Sequence, residues 1–140
     1  MSQENVEVVR DSLNAWIEVD EGLADVQRLS EFLAPGATWD MGTYSGWPGQ
    51  REFRGMDEFL AFRAAWMEAY DDFSYEVKKI LDAGGNRVAA TFHQRGKPRG
   101  SDSWVEMYYG IVYTIEGGLI QRGQVYATPD EALEAAGLSE

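Results

Sequence analysis

Asp40 is the residue of this chain best suited to proton transfer, and Arg122, Tyr109 and Gln124 are best suited to polarise a substrate oxygen. A carboxylate can act as acid or base, while a guanidinium, a phenol and an amide can hold developing negative charge. Tyr113 and Tyr126 add hydroxyls, and Trp16, Trp39 and Trp66 supply aromatic walls. A buried hydroxyl or amide without a partner costs roughly 1–3 kcal/mol, so polar tips converging on one face imply water or a polar ligand between them. Arg122 makes the sharpest demand. An inward guanidinium keeps its charge, so it needs either Asp40 or an anionic group on the ligand.

A set of hairpins must position these groups. Apolar-rich runs cover Phe73–Leu81, Arg87–Gln94, Trp104–Ile115 and Leu119–Tyr126, with Gly84-Gly85 between the first two and Gly117-Gly118 between the last two. Glycine reaches positive φ without steric cost, which makes Gly-Gly a two-residue hairpin signal. The second hairpin then sets Glu116 opposite Leu119, Tyr113 opposite Arg122, Ile111 opposite Gln124, and Tyr109 opposite Tyr126, all on one face. The first pairs Leu81 with Val88, Lys79 with Ala90, Val77 with Phe92 and Tyr75 with Gln94. A middle turn centred near Pro98 brings Val88, Ala90 and Phe92 beside Tyr109, Met107 and Val105. In this register His93 points away from the aromatic face, beside Trp104.

The cover for that face comes from the first half of the chain. Val6, Val9, Leu13 and Trp16 recur at helical spacing behind Ser2 as N-cap. A second amphipathic stretch, Val26, Leu29, Phe32 and Leu33, stops at Pro35-Gly36. The third, Phe59, Phe62, Arg63, Trp66 and Tyr70, follows Gly55 with Asp57 as a cap. Ala37–Met41 reads as a short edge strand and Gly42–Gly55 as a loop, from which Arg51 and Arg54 reach solvent. Thr128-Pro129-Asp130-Glu131 opens a last helix: Thr caps, Pro takes the first turn, and Glu lies three residues after Thr. The expected class is α+β: a curved antiparallel sheet around three N-terminal helices, with a short C-terminal helix.

Residues 1–140 are expected to form one domain. A formal charge of −12, from 24 acidic and 12 basic residues, repels phosphate backbones and anionic lipid, so neither nucleic acid nor a membrane surface is an expected partner. With no cysteine and one histidine, the usual zinc and iron sites lack ligands, and no metal or cofactor is expected. Glycines at strand–strand turns give no phosphate loop. The polar, acidic N-terminus is unlike a secretory signal, and a cytoplasmic location is expected. Trp104, Tyr108, Val112 and Val125 make the opposite sheet face apolar, which predicts a homodimer through it.

The order of elements resembles the nuclear transport factor two-like superfamily, in its SnoaL-like branch, over essentially the whole chain. The resemblance is carried by Phe32-Leu33-Ala34-Pro35-Gly36-Ala37-Thr38-Trp39-Asp40, by Phe53-Arg54-Gly55-Met56-Asp57-Glu58-Phe59, by Asp82-Ala83-Gly84-Gly85-Asn86-Arg87-Val88, by Gly117-Gly118-Leu119-Ile120, and by Glu131-Ala132-Leu133-Glu134-Ala135-Ala136-Gly137-Leu138. It implies a cone-shaped fold with an apolar pocket at its open end. Ketosteroid isomerase, polyketide cyclases, scytalone dehydratase and limonene epoxide hydrolase share that fold. The isomerase tyrosine, basic aspartate and protonated aspartate fall on Trp16, Met41 and near Tyr109, and the cyclase acid on the last strand falls on Gln124. Three functions follow: an isomerase, hydratase, cyclase or epoxide hydrolase using Asp40, Tyr109 and Arg122; a non-catalytic binder of a hydrophobic molecule with a polar or anionic group, held by Trp16, Trp39, Trp66, Tyr113, Gln124 and Tyr126; or a dimeric interaction module.

Overall fold

The computed structural model describes residues 2–20, 22–41 and 52–138, without the side chains of Ser2 and Val26. The expected Ser2 cap, the 42–51 part of the loop and Arg51 therefore lie outside the described residues. Three α-helices and a six-stranded mixed sheet make the α+β fold. Helix α1 (Ser2–Asp20) buries Val6, Val9, Leu13 and Trp16, the stripe that the three- and four-residue spacing marks. The second helical stretch is a 3-10 helix, Val26–Glu31, capped by Asp25, whose carboxylate accepts from Gln27 N at 2.8 Å. It ends before Pro35-Gly36, which lies instead within a strand.

That strand, β1 (Leu33–Asp40), is longer than expected and is not an edge. It sits between β2 (Glu52–Arg54), antiparallel, and β6 (Leu119–Tyr126), parallel. The sheet is therefore mixed rather than purely antiparallel. Its order is β2-β1-β6-β5-β4-β3, with β3 Tyr70–Asp82, β4 Arg87–Pro98 and β5 Val105–Glu116. Helix α2 (Gly55–Glu68) buries Phe59 and Phe62 and starts from Arg54, whose N–H donates to Glu58 at 2.9 Å, so Asp57 is not its cap. Tyr70 belongs to β3. Helix α3 (Pro129–Ala135) starts as expected, with Thr128 Oγ accepting from Glu131 N at 3.1 Å.

Register decides what faces inward, and here two bulges matter. Gly117 and Gly118 both take positive φ (61° and 80°), and Glu116 pairs with Leu119 as the turn requires. Ile115 pairs with Ile120, but Gln121 is then extra: Arg122 lies opposite Thr114, Gly123 opposite Tyr113, Gln124 opposite Val112 and Tyr126 opposite Gly110. A one-residue bulge moves every later side chain to the other face. In β3, Lys78 is the extra residue. Val77 and Tyr75 keep the expected partners Phe92 and Gln94, whereas Ile80 and Leu81 pair with Ala90 and Ala89. Between β4 and β5 the strands slide by four residues, an even number that preserves faces, so Val88, Ala90 and Phe92 meet Tyr113, Ile111 and Tyr109.

The main core lies between the inner sheet face and α1, α2 and the 3-10 helix, and includes Val9, Leu29, Phe92, Ile115 and Ile120. A smaller core lies under α3, where Ala132 and Ala136 pack on Ala89 and Val112. Among the described residues, no helix is long and apolar enough to cross a membrane.

Candidate functional site

A cavity of about 90 Å³ lies between the inner sheet face, α1 and α2. Trp16, Trp39, Trp66, Tyr109 and Tyr113, all expected at the site, line it. Trp39 reaches it because Gly123 carries no side chain: a Cβ there would lie 2.3 Å from the indole. The indole packs at 4.7 Å from Phe59 and 6.1 Å from Tyr113, by ring centroids. Tyr109 stacks on Phe92 at 5.1 Å and meets Trp66 edge-on at 6.3 Å.

Asp40, Arg122, Gln124 and Tyr126 are not on this lining. The bulge at Gln121 turns Arg122, Gln124 and Tyr126 to the outer face, where β1 brings Thr38 beside Arg122 and Asp40 beside Gln124. The Asp40–Arg122 pair forms there, at 2.7 Å, and Arg122 also donates to Glu52 at 3.2 Å and Thr38 at 3.3 Å. A guanidinium 36% exposed and shared by two carboxylates is already neutralised. Tyr126 packs against the small core under α3. Burial pushes its pKa up, Asp40 adds to the rise, and Arg122 and Arg87 oppose it.

Arg63 and Tyr75, which the residue pattern did not single out as site residues, take their place beside Tyr109 and Tyr113. Arg63 lines the cavity, is bound to Asp20 at the end of α1, and lies 4.1 Å over the Trp16 ring. Its signal was visible: an arginine inside the Phe59, Phe62, Trp66 stripe must bring a partner with it. Tyr75 lines the same space. Burial raises its pKa, Arg63 lowers it and Asp20 raises it. Tyr113 is 3% exposed, and burial, with Tyr109 and Tyr75 nearby, holds its phenol well above its ordinary value. It stays protonated as a hydrogen-bond donor. Tyr109 donates to Gln94 Oε1 at 3.3 Å, and Gln94 Nε2, fully buried, has no hydrogen-bond partner among the described residues. No carboxylate is among the described residues lining the cavity.

His93 is on the outer face as expected, although its neighbour is Tyr108 rather than Trp104. The rings stack at 4.6 Å, and His93 Nε2 lies 2.8 Å from Glu106. Of the residues that suggested a dimer face, Trp104 and Tyr108 are 40% and 54% exposed. Val112 is buried under α3 and Val125 faces the main core. Among the described residues, no group of three His, Cys, Asp or Glu is placed to hold a metal ion.

The fold has counterparts. The family model for the SnoaL-like domain matches residues 9–123. The chain belongs to the SnoaL-like domain family. Solved structures similar to this SnoaL-like chain include an NTF2-like protein of unknown function from Burkholderia pseudomallei, at 18% identity and TM-score 0.73, with 96% of this chain and 97% of that one covered. A putative SnoaL-like polyketide cyclase from Jannaschia is similar at 18% identity and TM-score 0.70, covering 90% and 86%. TerC, co-crystallised with polyporic acid, is similar at 12% identity and TM-score 0.73, covering 96% and 98%. At these identities the likeness concerns the fold. No curated protein sequence matches this SnoaL-like chain.

Proposed function

We propose that this SnoaL-like chain binds a small, largely apolar molecule carrying a polar or anionic group, in a cavity at the open end of a cone made by the curved sheet. The observation that carries the proposal is the convergence of Arg63, Tyr75, Tyr109 and Tyr113 on a space otherwise walled, apart from Ser12, by aromatic and aliphatic side chains. Aromatic walls exclude water and favour a flat apolar body; the neutral phenols and Arg63 orient its polar end. TerC, co-crystallised with polyporic acid, supports a small-molecule reading by likeness of fold.

Proton-transfer chemistry of the isomerase, hydratase, cyclase or epoxide hydrolase kind is the catalytic form of this proposal. It needs an acid–base group at the cavity. Asp20 does not itself line the cavity, but it is bound to Arg63, which does, and is close enough to Tyr75 to raise its pKa, so it fits that need better than Asp40 on the opposite face. The test is a thermal-melting series with benzoate, phenylacetate, phenol and cyclohexanone, read beside mass spectrometry for product. Binding to the native state at a hundredfold excess over Kd adds about 2.7 kcal/mol, a melting-point rise of several degrees. An unchanged melting point across all four compounds would overturn the proposal. Product formation abolished by Asp20→Asn would establish the catalytic form.

The exposed strip of Trp104, Val105 and Tyr108 favours a second role, pairing of two copies through the uncovered part of the outer face. Sedimentation at micromolar concentration tests it; a monomer refutes it.

A further inference from the structure

Behind the aromatic cavity lies a second, larger space of about 330 Å³, between β1, the start of α2 and the start of β6. Leu33, Trp39, Phe59 and Ile120 line both spaces, so one layer of side chains divides them. Ile120 is fixed in the sheet beside Ile115. Trp39 is fixed in β1 between Phe53 and Gly123, and its indole lies over the bare backbone of Gly123.

The two spaces differ in chemistry. The inner one has a polar end at Arg63, which lies one helical turn beyond Phe59 and does not line the second space. The second space carries no charged group on its described lining. Its two hydroxyls are already engaged: Ser30 donates to Gln27 O at 2.7 Å, and Thr38 accepts from Arg122 at 3.3 Å. No charged side chain is left there to hold an anionic head. Size points the same way, since small-molecule sites begin at roughly 300 Å³ and the inner cavity falls well short.

We propose that the two spaces form one site for an elongated amphipathic molecule, with an anionic head taking the place of Asp20 on Arg63 and a straight apolar chain running past Trp39 into the second space. This rests on the binding role proposed above and adds the class of ligand. The probes are straight-chain carboxylates from hexanoate to tetradecanoate, titrated below their micelle concentrations, with stoichiometry and Kd from calorimetry.

One acid is expected to bind per chain, with affinity rising about fourfold for each added methylene past octanoate. Ala34→Phe fills the second space and is expected to halt that rise at the short acids. Should that variant fail to fold, Ser30→Trp fills the same space from an exposed position. A flat affinity beyond octanoate in the unmodified chain, or a rise that survives both fillings, overturns the inference. Benzoate binding combined with a flat chain-length series overturns the two-space site and leaves the aromatic cavity's role standing. Failure of every acid and of benzoate to bind overturns both.

Discussion

Along β6 the two faces of the sheet handle polarity in opposite ways. Outward, Arg122 is met by Asp40, Glu52 and Thr38, so charge is cancelled within the protein. Inward, Ile120 and Val125 are buried with Tyr113, and the polar atoms on that side are neutral phenols and an amide. A charge already shared by two carboxylates offers little to a ligand, whereas an enclosed neutral donor needs a partner. The contrast shifts attention from the most conspicuous residues, Asp40 and Arg122, to Tyr75 and Tyr113, and to Arg63, which is met by one carboxylate where Arg122 is met by two.

The largest expected effect comes from exchanging the two environments. Val125→Arg places a cation in the main core and is expected to cost about 4 kcal/mol or more in urea denaturation, whereas Arg122→Val on the same strand costs about 1 kcal/mol. Equal losses would erase the distinction between the faces. Gly123→Ala sets a Cβ against the Trp39 indole; an expected loss of about 1–3 kcal/mol, with a shift in tryptophan emission, reports the displaced ring.

Alkaline titration reads the enclosed phenol of the inner face. Burial raises the Tyr113 pKa, so above about pH 10 the unfolded chain ionises while the folded chain keeps its proton. The stability linked to this group is complete below that pH and falls as pH rises, by up to about 1.4 kcal/mol per pH unit. Tyr113→Phe is expected to flatten the decline in denaturation measured from pH 9 to 11. The smallest effect is on binding. Arg63→Met is expected to weaken benzoate about tenfold, equivalent to about 1.4 kcal/mol, while Asp40→Asn leaves its Kd within twofold. The reverse ranking, by calorimetry, would return the site to Asp40.

Local chemistry was legible in the sequence, and long-range pairing was not. The Thr128 cap, the positive φ of Gly117 and Gly118, and the α1 stripe are written within a few residues of themselves. The parallel pairing of β1 with β6 joins residues about eighty positions apart and leaves no local mark, which is why β1 read as an edge. The bulges did leave a trace. Ile120 and Val125, like Val77 and Ile80, are apolar at odd separations, and strict alternation cannot bury both members of such a pair. An extra residue in each strand lets it do so. A two-residue turn fixes the register only as far as the first bulge, which is why Arg122 lies on the outer face.

Gln121 is also the position of β6 without an opposite number on β5. Length variation there should be nearly silent: a chain lacking it would join Ile120 directly to Arg122 with both partners unchanged. Losing Gly123 instead would rotate Gln124 into the aromatic cavity and expel Val125. The hairpin tolerates a shortened chain at one site and is inverted by the same deletion two residues later.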